Sequence, residues 1–201
     1  MGNVGANAAR VFYHRDVKVI AISDVSGGLF CKDGLDIDAI SVFLETEGAL
    51  LKDYSAPGVS HISNEDVLTC DCDVLVPAAL ENQITADNAE KLNCRYIVEA
   101  ANGPTTEEAD AILEHRGITL IPDIFANSGG VIVSYFEWVQ NIQELTWDRD
   151  QVNEMLEKLM SKSFQSLLDA ADECHCSYRM AAYIVALRKL VTAEKMKGIF
   201  P

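Results

Sequence analysis

An α/β fold is predicted: a sheet-and-helix domain over residues 1–130, then a purely helical segment over 131–201. Three observations carry this. From residue 17 to about 121, short β-rich runs alternate with helical patterns, the rhythm of βαβ units around a parallel sheet. Beyond Gly130 the apolar residues recur only at helical spacing. The chain also opens on Met1-Gly2-Asn3-Val4-Gly5, the last five places of a G-x-G-x-x-G turn, in which a parallel strand passes into a helix.

That opening sets the expectation for the first elements. Gly2 lets the backbone approach a ligand closely, and Gly5 lets the following helix, Ala6 to His14, pack tightly. The helix N-terminus suits two phosphates. Val17 to Asp24 is a β-rich run ending in an acid, about 20 residues on, where such sites hold an adenosine ribose. The alternative is an ordinary βα turn with a strand-end aspartate. The expected architecture is a Rossmann-like doubly wound sheet. The first glycine and its strand are absent, so the sheet is expected to lack its first, central strand.

The remaining elements follow in order. Asp36 to Gly48 places Ile37, Ile40, Phe43 and Leu44 on one helical face, with Asp36 as N-cap and Gly48 as stop. Ser63-Asn64-Glu65-Asp66 has the form of a capping box. Val74-Leu75-Val76, ended by Pro77, reads as a strand buried on both faces. Thr85 caps a helix to about Leu92, Tyr96 to Val98 is a strand, Thr105 to Arg116 a helix stopped by Gly117, and Ile118 to Ile121 a strand. Val131 to Glu144 is a helix. Val152, Met155, Leu156, Leu159, Met160, Phe164, Leu167 and Leu168 stripe a second, and Ala182, Ile184, Val185, Leu187 and Val191 a third.

Composition narrows the partners. With 49% hydrophobic and 23% charged residues the chain is globular and can bury a sizeable core. Sixteen basic against thirty-one acidic residues give a net charge of -15, a field that repels a nucleic-acid backbone. Backbone amides still accommodate two phosphates without cationic side chains. No apolar run approaches the ~20 residues of a membrane span, no basic-then-apolar leader opens the chain, and the cytoplasm is the expected compartment. Cys70 and Cys72 flank Asp71, and Cys174 and Cys176 flank His175. C-x-C is not the spacing of structural zinc sites. The six cysteines read as reduced, half-buried thiols, the alternative being a metal site composed from both clusters. His14 and His115 fall in last helical turns, where a cation suits the dipole.

Three strand-end segments carry the candidate chemistry, because ligands bind at the carboxyl ends of parallel strands. Pro77-Ala78-Ala79-Leu80-Glu81-Asn82-Gln83 offers small side chains beside amides; equally, it is good loop chemistry. Glu99-Ala100-Ala101-Asn102-Gly103-Pro104-Thr105 is a strong turn whose Asn102 precedes a helix. Asp123 to Trp138 contains Asn127-Ser128-Gly129-Gly130, which opens a helix with uncovered amides.

Asn-Gly-Pro-Thr-Thr at 102–106, Pro-Ala-Ala-Leu-Glu-Asn-Gln-Ile-Thr at 77–85 and Asn-Ser-Gly-Gly-Val-x-x-Ser-Tyr-Phe-Glu-Trp-Val-Gln-Asn at 127–141 resemble the glutamate dehydrogenases of the Glu/Leu/Phe/Val amino-acid dehydrogenase family. The resemblance is ordered and runs to Ala-Ala-Tyr at 181–183. It implies oxidative deamination of L-glutamate to 2-oxoglutarate and ammonia, with hydride passing to a nicotinamide dinucleotide, and a homo-oligomeric complete enzyme. Under it Gly2, Asn3, Val4 and Gly5 border the pyrophosphate and Asp24 the ribose. Ala78, Ala79, Gln83, Asn102 and Asn127 line the coenzyme cleft, and Val131 and Ser134 contact the amino acid. The family's catalytic lysines and proton-shuttling aspartate lie in an N-terminal substrate domain that these 201 residues do not contain, so no catalytic residue and no metal are expected here. Alone, the chain is expected to be inactive and to fold poorly. NAD is favoured over NADP because Val25-Ser26-Gly27-Gly28 after Asp24 brings no cation for a 2′-phosphate. The competing reading is a dinucleotide-binding or interaction module of that family without its chemistry.

Overall fold

Strands and capped helices alternate through the first of two units, Met1–Thr119, and helices dominate the second, Leu120–Pro201. The computed structural model describes residues 1–198.

In the first unit, α1 (Asn3–Tyr13) begins at Gly2, which is extended, and ends at His14, whose Nε2 lies 3.2 Å from Asp38. β1 (Ala21–Asp24) and β2 (Gly27–Phe30) form an antiparallel hairpin, and β3 (Ser60–Ile62) pairs antiparallel with β2. The strand ending at Asp24 is thus present, but its hydrogen-bonded neighbour is antiparallel where a purely parallel sheet was expected. Local chemistry gives the reason. Only Val25 and Ser26 separate the strands, and Asp24 Oδ1 accepts from the Ser26 N–H (2.7 Å) and hydroxyl (2.6 Å), closing the turn. Gly27 then takes a φ of 134°, open to glycine but not to a side chain. Gly28 is buried, and a β-carbon there would lie 2.3 Å from Val67 Cγ2.

α2 (Ile37–Leu44) is capped by Asp36, which accepts from Ala39 N–H at 2.9 Å. Its Ile37 and Ile40 are fully buried with Leu29 and Leu51, each worth roughly 1.5–3 kcal/mol of transfer free energy. A single 3₁₀ turn at Leu51–Asp53 leads on to β3 and then α3 (Asn64–Thr69), whose Ser63–Asp66 capping box forms as its sequence foretold.

β4 (Val74–Leu75) pairs parallel with β5 (Tyr96–Val98) in the register Val74 to Tyr96 and Leu75 to Ile97. Between them lies α4 (Ala86–Ala89), and after β5 comes α5 (Glu107–His115), capped by Thr106. β6 (Thr119–Ile121) follows on the other side of β5, with Thr119 N–H donating to Arg95 O at 3.0 Å. Among the described residues the strands therefore make two three-stranded sheets, with β1 ending one and β4 ending the other. Leu75 is buried, but Val74 is 44% exposed; lying in an end strand, it is not covered on both faces as its apolar run suggested. α4 is also shorter than its pattern. The Arg116 guanidinium donates to the Ala89 and Leu92 carbonyls and closes the helix early.

The second unit holds α6 (Asp123–Ala126), α7 (Gly129–Gln143), α8 (Arg149–Cys174) and α9 (Tyr178–Lys197). Asp148 and Gln151 form a capping box at the start of α8. His175 reverses the chain in a left-handed conformation (φ 48°), and Ser177 caps α9. Leu167, Ala170 and Ala171 pack with Ala181 and Ala182, small side chains that let α8 and α9 approach closely.

Gly28→Ala is expected to destabilise the chain by about 1–3 kcal/mol through overpacking, since valine is stiff and cannot yield by rotation. Adding Val67→Ala is expected to return part of the loss. Denaturant melts of the single and double variants check this, and an unshifted single variant contradicts it.

Candidate functional site

The first turn of α1 is unusually bare. No side chain caps it and no acidic residue lies in it. The first intrahelical bond runs from Ala6 N–H to Gly2 O at 2.9 Å, so the amides of Asn3, Val4 and Gly5 precede the ladder. Gly2, Asn3 and Val4 are exposed, and a β-carbon at Gly2 would meet open space. Uncompensated N–H groups at the positive end of an eleven-residue helix favour an anionic ligand.

Gly5 works differently. A β-carbon there would lie 3.7 Å from Ala78 Cβ, so the start of α1 sits directly against the segment after β4. That segment is bonded to the one after β5. Ala100 and Ala101 N–H both donate to Pro77 O (3.0 and 2.9 Å), Asn82 N–H to Gly103 O (2.9 Å), Ile84 N–H to Pro104 O (2.8 Å) and Thr106 N–H to Ile84 O (2.9 Å). Residues 77–84 and 99–106 thus form one ledge at the carboxyl ends of β4 and β5, with an isolated parallel bridge between Ile84 and Thr105. Ala79 and Asn102 on it are exposed, whereas Ala78 and Gln83 are half-buried. The Gln83 amide donates to Glu81 O at 3.2 Å, and Asn82 takes a left-handed φ of 55°.

Asp24 ends β1 and joins this frame. Besides the two bonds from Ser26, its Oδ2 accepts from Leu51 N–H at 2.9 Å, its carbonyl from the Asn64 amide at 3.1 Å, and Ser23 O takes the Met1 ammonium at 2.7 Å. A carboxylate has about four acceptor directions, and three of Asp24's are used. One acceptor direction remains, on Oδ2. Burial opposes ionisation of Asp24, but the Ser26 hydroxyl, the Leu51 and Ser26 amides and the N-terminal ammonium outweigh it. The carboxyl is held below its ordinary value.

Gly2, Asn3, Val4, Gly5, Asp24, Ala78, Ala79, Gln83 and Asn102 all lie in the first unit. Asn127, Val131 and Ser134 lie in the second. There Asn127 ends α6, its N–H donating to Asp123 O at 3.1 Å, and Val131 and Ser134 are exposed one turn apart on α7. The N-terminus of α7 likewise has no side-chain cap and no acid in its first turn. Glu99 is fully buried at the end of β5, a residue to which the sequence pattern assigned no role; an acid directly after an apolar strand was the available signal. Among the described residues no group of three His, Cys, Asp or Glu side chains is arranged to hold a metal ion, and no helix is long and apolar enough to cross a membrane.

The lowered Asp24 value has a thermodynamic consequence of definite sign. Its stabilisation is complete above the ~3.9 of an unfolded aspartate and is lost as pH falls through the lower folded value. Asp24→Asn is therefore expected to lose about 1 kcal/mol near neutral pH, the low end for charged bonds because the group is partly exposed. The two proteins should converge once the wild-type carboxyl is protonated. Thermal melts across the acid range test this; a constant difference at all pH values contradicts it.

Residues 1–198 match the family model for Glutamate/Leucine/Phenylalanine/Valine dehydrogenase. The "Cryptic catabolic NAD-specific glutamate dehydrogenase GudB" of Bacillus subtilis is 45% identical over 197 residues, covering 98% of this chain and 45% of the relative. The "NADP-specific glutamate dehydrogenase A1" of Halobacterium salinarum is 45% identical over 201 residues, covering 100% of this chain and 48% of the relative. Among solved structures, the hetero-hexameric glutamate dehydrogenase from Thermus thermophilus (Leu bound form) superposes with a TM-score of 0.89 at 30% identity, over 100% of this chain and 47% of that one. The chain spans about half the length of the curated relatives it matches. It belongs to the Glutamate/Leucine/Phenylalanine/Valine dehydrogenase family, a family of amino-acid oxidoreductases.

Proposed function

We propose that this chain is the coenzyme-binding part of a glutamate dehydrogenase, in which L-glutamate is oxidatively deaminated to 2-oxoglutarate and ammonia. The observation that carries this reading is the bare N-terminus of α1 set against Ala78, with the Asp24 carboxylate tied to the same frame. The donor set fits a nicotinamide dinucleotide: unpaired amides for two phosphates, one carboxylate direction for a ribose hydroxyl, and a ledge of alanines and amides for flat rings. Asn3, Val4 and Gly5 would hold the pyrophosphate, Asp24 the adenosine ribose, and Ala78, Ala79, Gln83 and Asn102 the remainder. When bound, the nicotinamide supplies the hydride acceptor.

The side chains of the second unit complete the assignment. Asn127 contributes a carboxamide to the coenzyme, Ser134 donates to the glutamate side-chain carboxylate, and Val131 contacts the substrate's aliphatic part. The positions of Val131 and Ser134, exposed and one turn apart, support a shared ligand. The lysines that polarise substrate and water belong, on this reading, to the other half of a complete enzyme. A hetero-hexameric relative, the Thermus thermophilus protein, supports an oligomeric holoenzyme.

Two outcomes are expected. NAD should bind more tightly than NADP, by roughly ten-fold or more. The 2′-phosphate would face Asp24 with like charge, worth ~1–4 kcal/mol at about 4 Å. Calorimetric titration of both coenzymes measures the ratio, which Asp24→Ser should narrow; equal or tighter NADP binding overturns the assignment of Asp24. In a holoenzyme containing this chain, Ser134→Ala should weaken glutamate binding by about 1–3 kcal/mol while the coenzyme constant holds. A change in the coenzyme constant alone would remove Ser134 from the substrate. Coenzyme binding without any glutamate turnover in that holoenzyme would favour a non-catalytic module.

A further inference from the structure

One face of α7 is apolar and bare. Val131, Tyr135, Trp138 and Ile142 recur at spacings of four, three and four, so they form a single row along the helix. Leu145 follows three residues later, folded onto the helix end by its N–H bond to Gln140 O at 3.0 Å. All five are exposed, from 50% at Leu145 to 74% at Val131. The Tyr135 and Trp138 rings stack at 5.8 Å, which makes the middle of the row a preformed ridge. The opposite face of α7 is already satisfied. Phe136 is buried with its ring edge-on to Trp147 at 5.9 Å, and a β-carbon on Gly129 would lie 3.8 Å from Leu156. Glu137, the one charged residue of α7, falls about a third of a turn away from the row.

Large apolar side chains in a continuous exposed row mark a surface that another body covers. Two occupants compete for it. A second copy of this chain would bring its own net charge of -15, and long-range repulsion opposes that encounter. It would also add no catalytic group. The other occupant follows from where the row begins. Val131 opens it and Ser134 flanks its first turn, the two residues assigned above to the amino acid. Deamination needs positioned acid–base groups facing that amino acid, and whatever carries them must close over Val131 and Ser134. The next turns of the same helix face then lie directly beneath it. This chain spans about half the length of its curated relatives, which leaves a body about as large as this chain to supply those groups.

We propose that the Tyr135–Trp138–Ile142 ridge of α7 is the docking surface for the catalytic half of a complete glutamate dehydrogenase, the part of the relatives that this chain does not match. The inference rests on the function proposed above. Tyr135 and Trp138 suit the role, since aromatic rings bury a large area and prefer the core of an interface to its rim. Because the ridge continues the face that carries Val131 and Ser134, docking on it places the catalytic half over the amino acid. The substrate pocket is then closed by two bodies, with α7 as the wall that belongs to this one.

The test compares the purified 201-residue chain with a complete enzyme in which it replaces the matching residues of the Bacillus subtilis relative. Hydroxyl radicals label accessible side chains, and peptide mass spectrometry gives the rate at each. In the free chain Tyr135 and Trp138 are both 58% exposed and should label readily. In the complete enzyme their labelling should slow by about five-fold or more, the change from an open ring to an interface core. Tyr96, exposed in the first unit, serves as the reference and should keep its rate. Equal labelling of Tyr135 and Trp138 in both preparations overturns the proposal. Sedimentation of the free chain decides the matter if the complete enzyme fails to assemble. Wild type and Trp138→Glu are expected to sediment alike, whereas a dimer that Trp138→Glu dissociates gives the ridge to a second copy and overturns the proposal. Titrating NAD into both preparations separates this inference from the one beneath it. Protected rings without NAD binding uphold the docking surface and count against the coenzyme reading; NAD binding with unprotected rings does the reverse.

Discussion

One carboxylate holds the first unit's site in shape. Asp24 gathers the turn of the hairpin through Ser26 and the 3₁₀ segment through the Leu51 amide, while its own carbonyl receives Asn64 at the start of α3. Next to it, Ser23 O holds the segment that leads into α1. These four connections reach across 40 residues of sequence from a single strand end. A charged acceptor is suited to this because its bonds are stronger than neutral ones and tolerate partial exposure. What depends on it is the orientation of the α1 N-terminus, which has no side-chain cap of its own to fix it.

The two halves of the first unit use different means to the same end. Around α2 the core is built from fully buried branched and long aliphatic residues, Leu29, Ile37, Ile40 and Leu51, on an antiparallel hairpin. Around β4 and β5 the sheet is only two to three residues deep per strand, and backbone bonds between residues 77–84 and 99–106 supply much of the order. A ledge made of main-chain bonds needs small or turn-forming side chains, which is why alanine, asparagine, glycine and proline crowd it. The same composition leaves its rim accessible. Within it, Glu99 is fully buried and the Thr105 hydroxyl is buried without a hydrogen-bond partner.

Much of this was legible in the chain. Helix starts were, because capping is local chemistry: Asp36, the Ser63–Asp66 box and Thr85 stand where their side chains announce a cap. Tyr96 to Val98 was legible as a strand, since its apolar run is short and bounded. The hairpin partner Gly27 to Phe30 was not, because two glycines in succession look like loop. Their meaning lies in Val67, 39 positions away, which leaves no room for a β-carbon at Gly28. Nor was the exposure of Val74 legible, since it depends on β4 ending its sheet.

The central claim is that a dinucleotide is bound by the bare amides of α1 beside Asp24. It is tested most directly by following backbone amide resonances of the purified chain as NAD is added. The account predicts the largest shifts at Asn3, Val4 and Gly5, with smaller ones at Ser26 and Ala78 and along residues 99–106. Saturating NAD that leaves the Asn3–Gly5 amides unmoved, or that shifts a different surface, would contradict it.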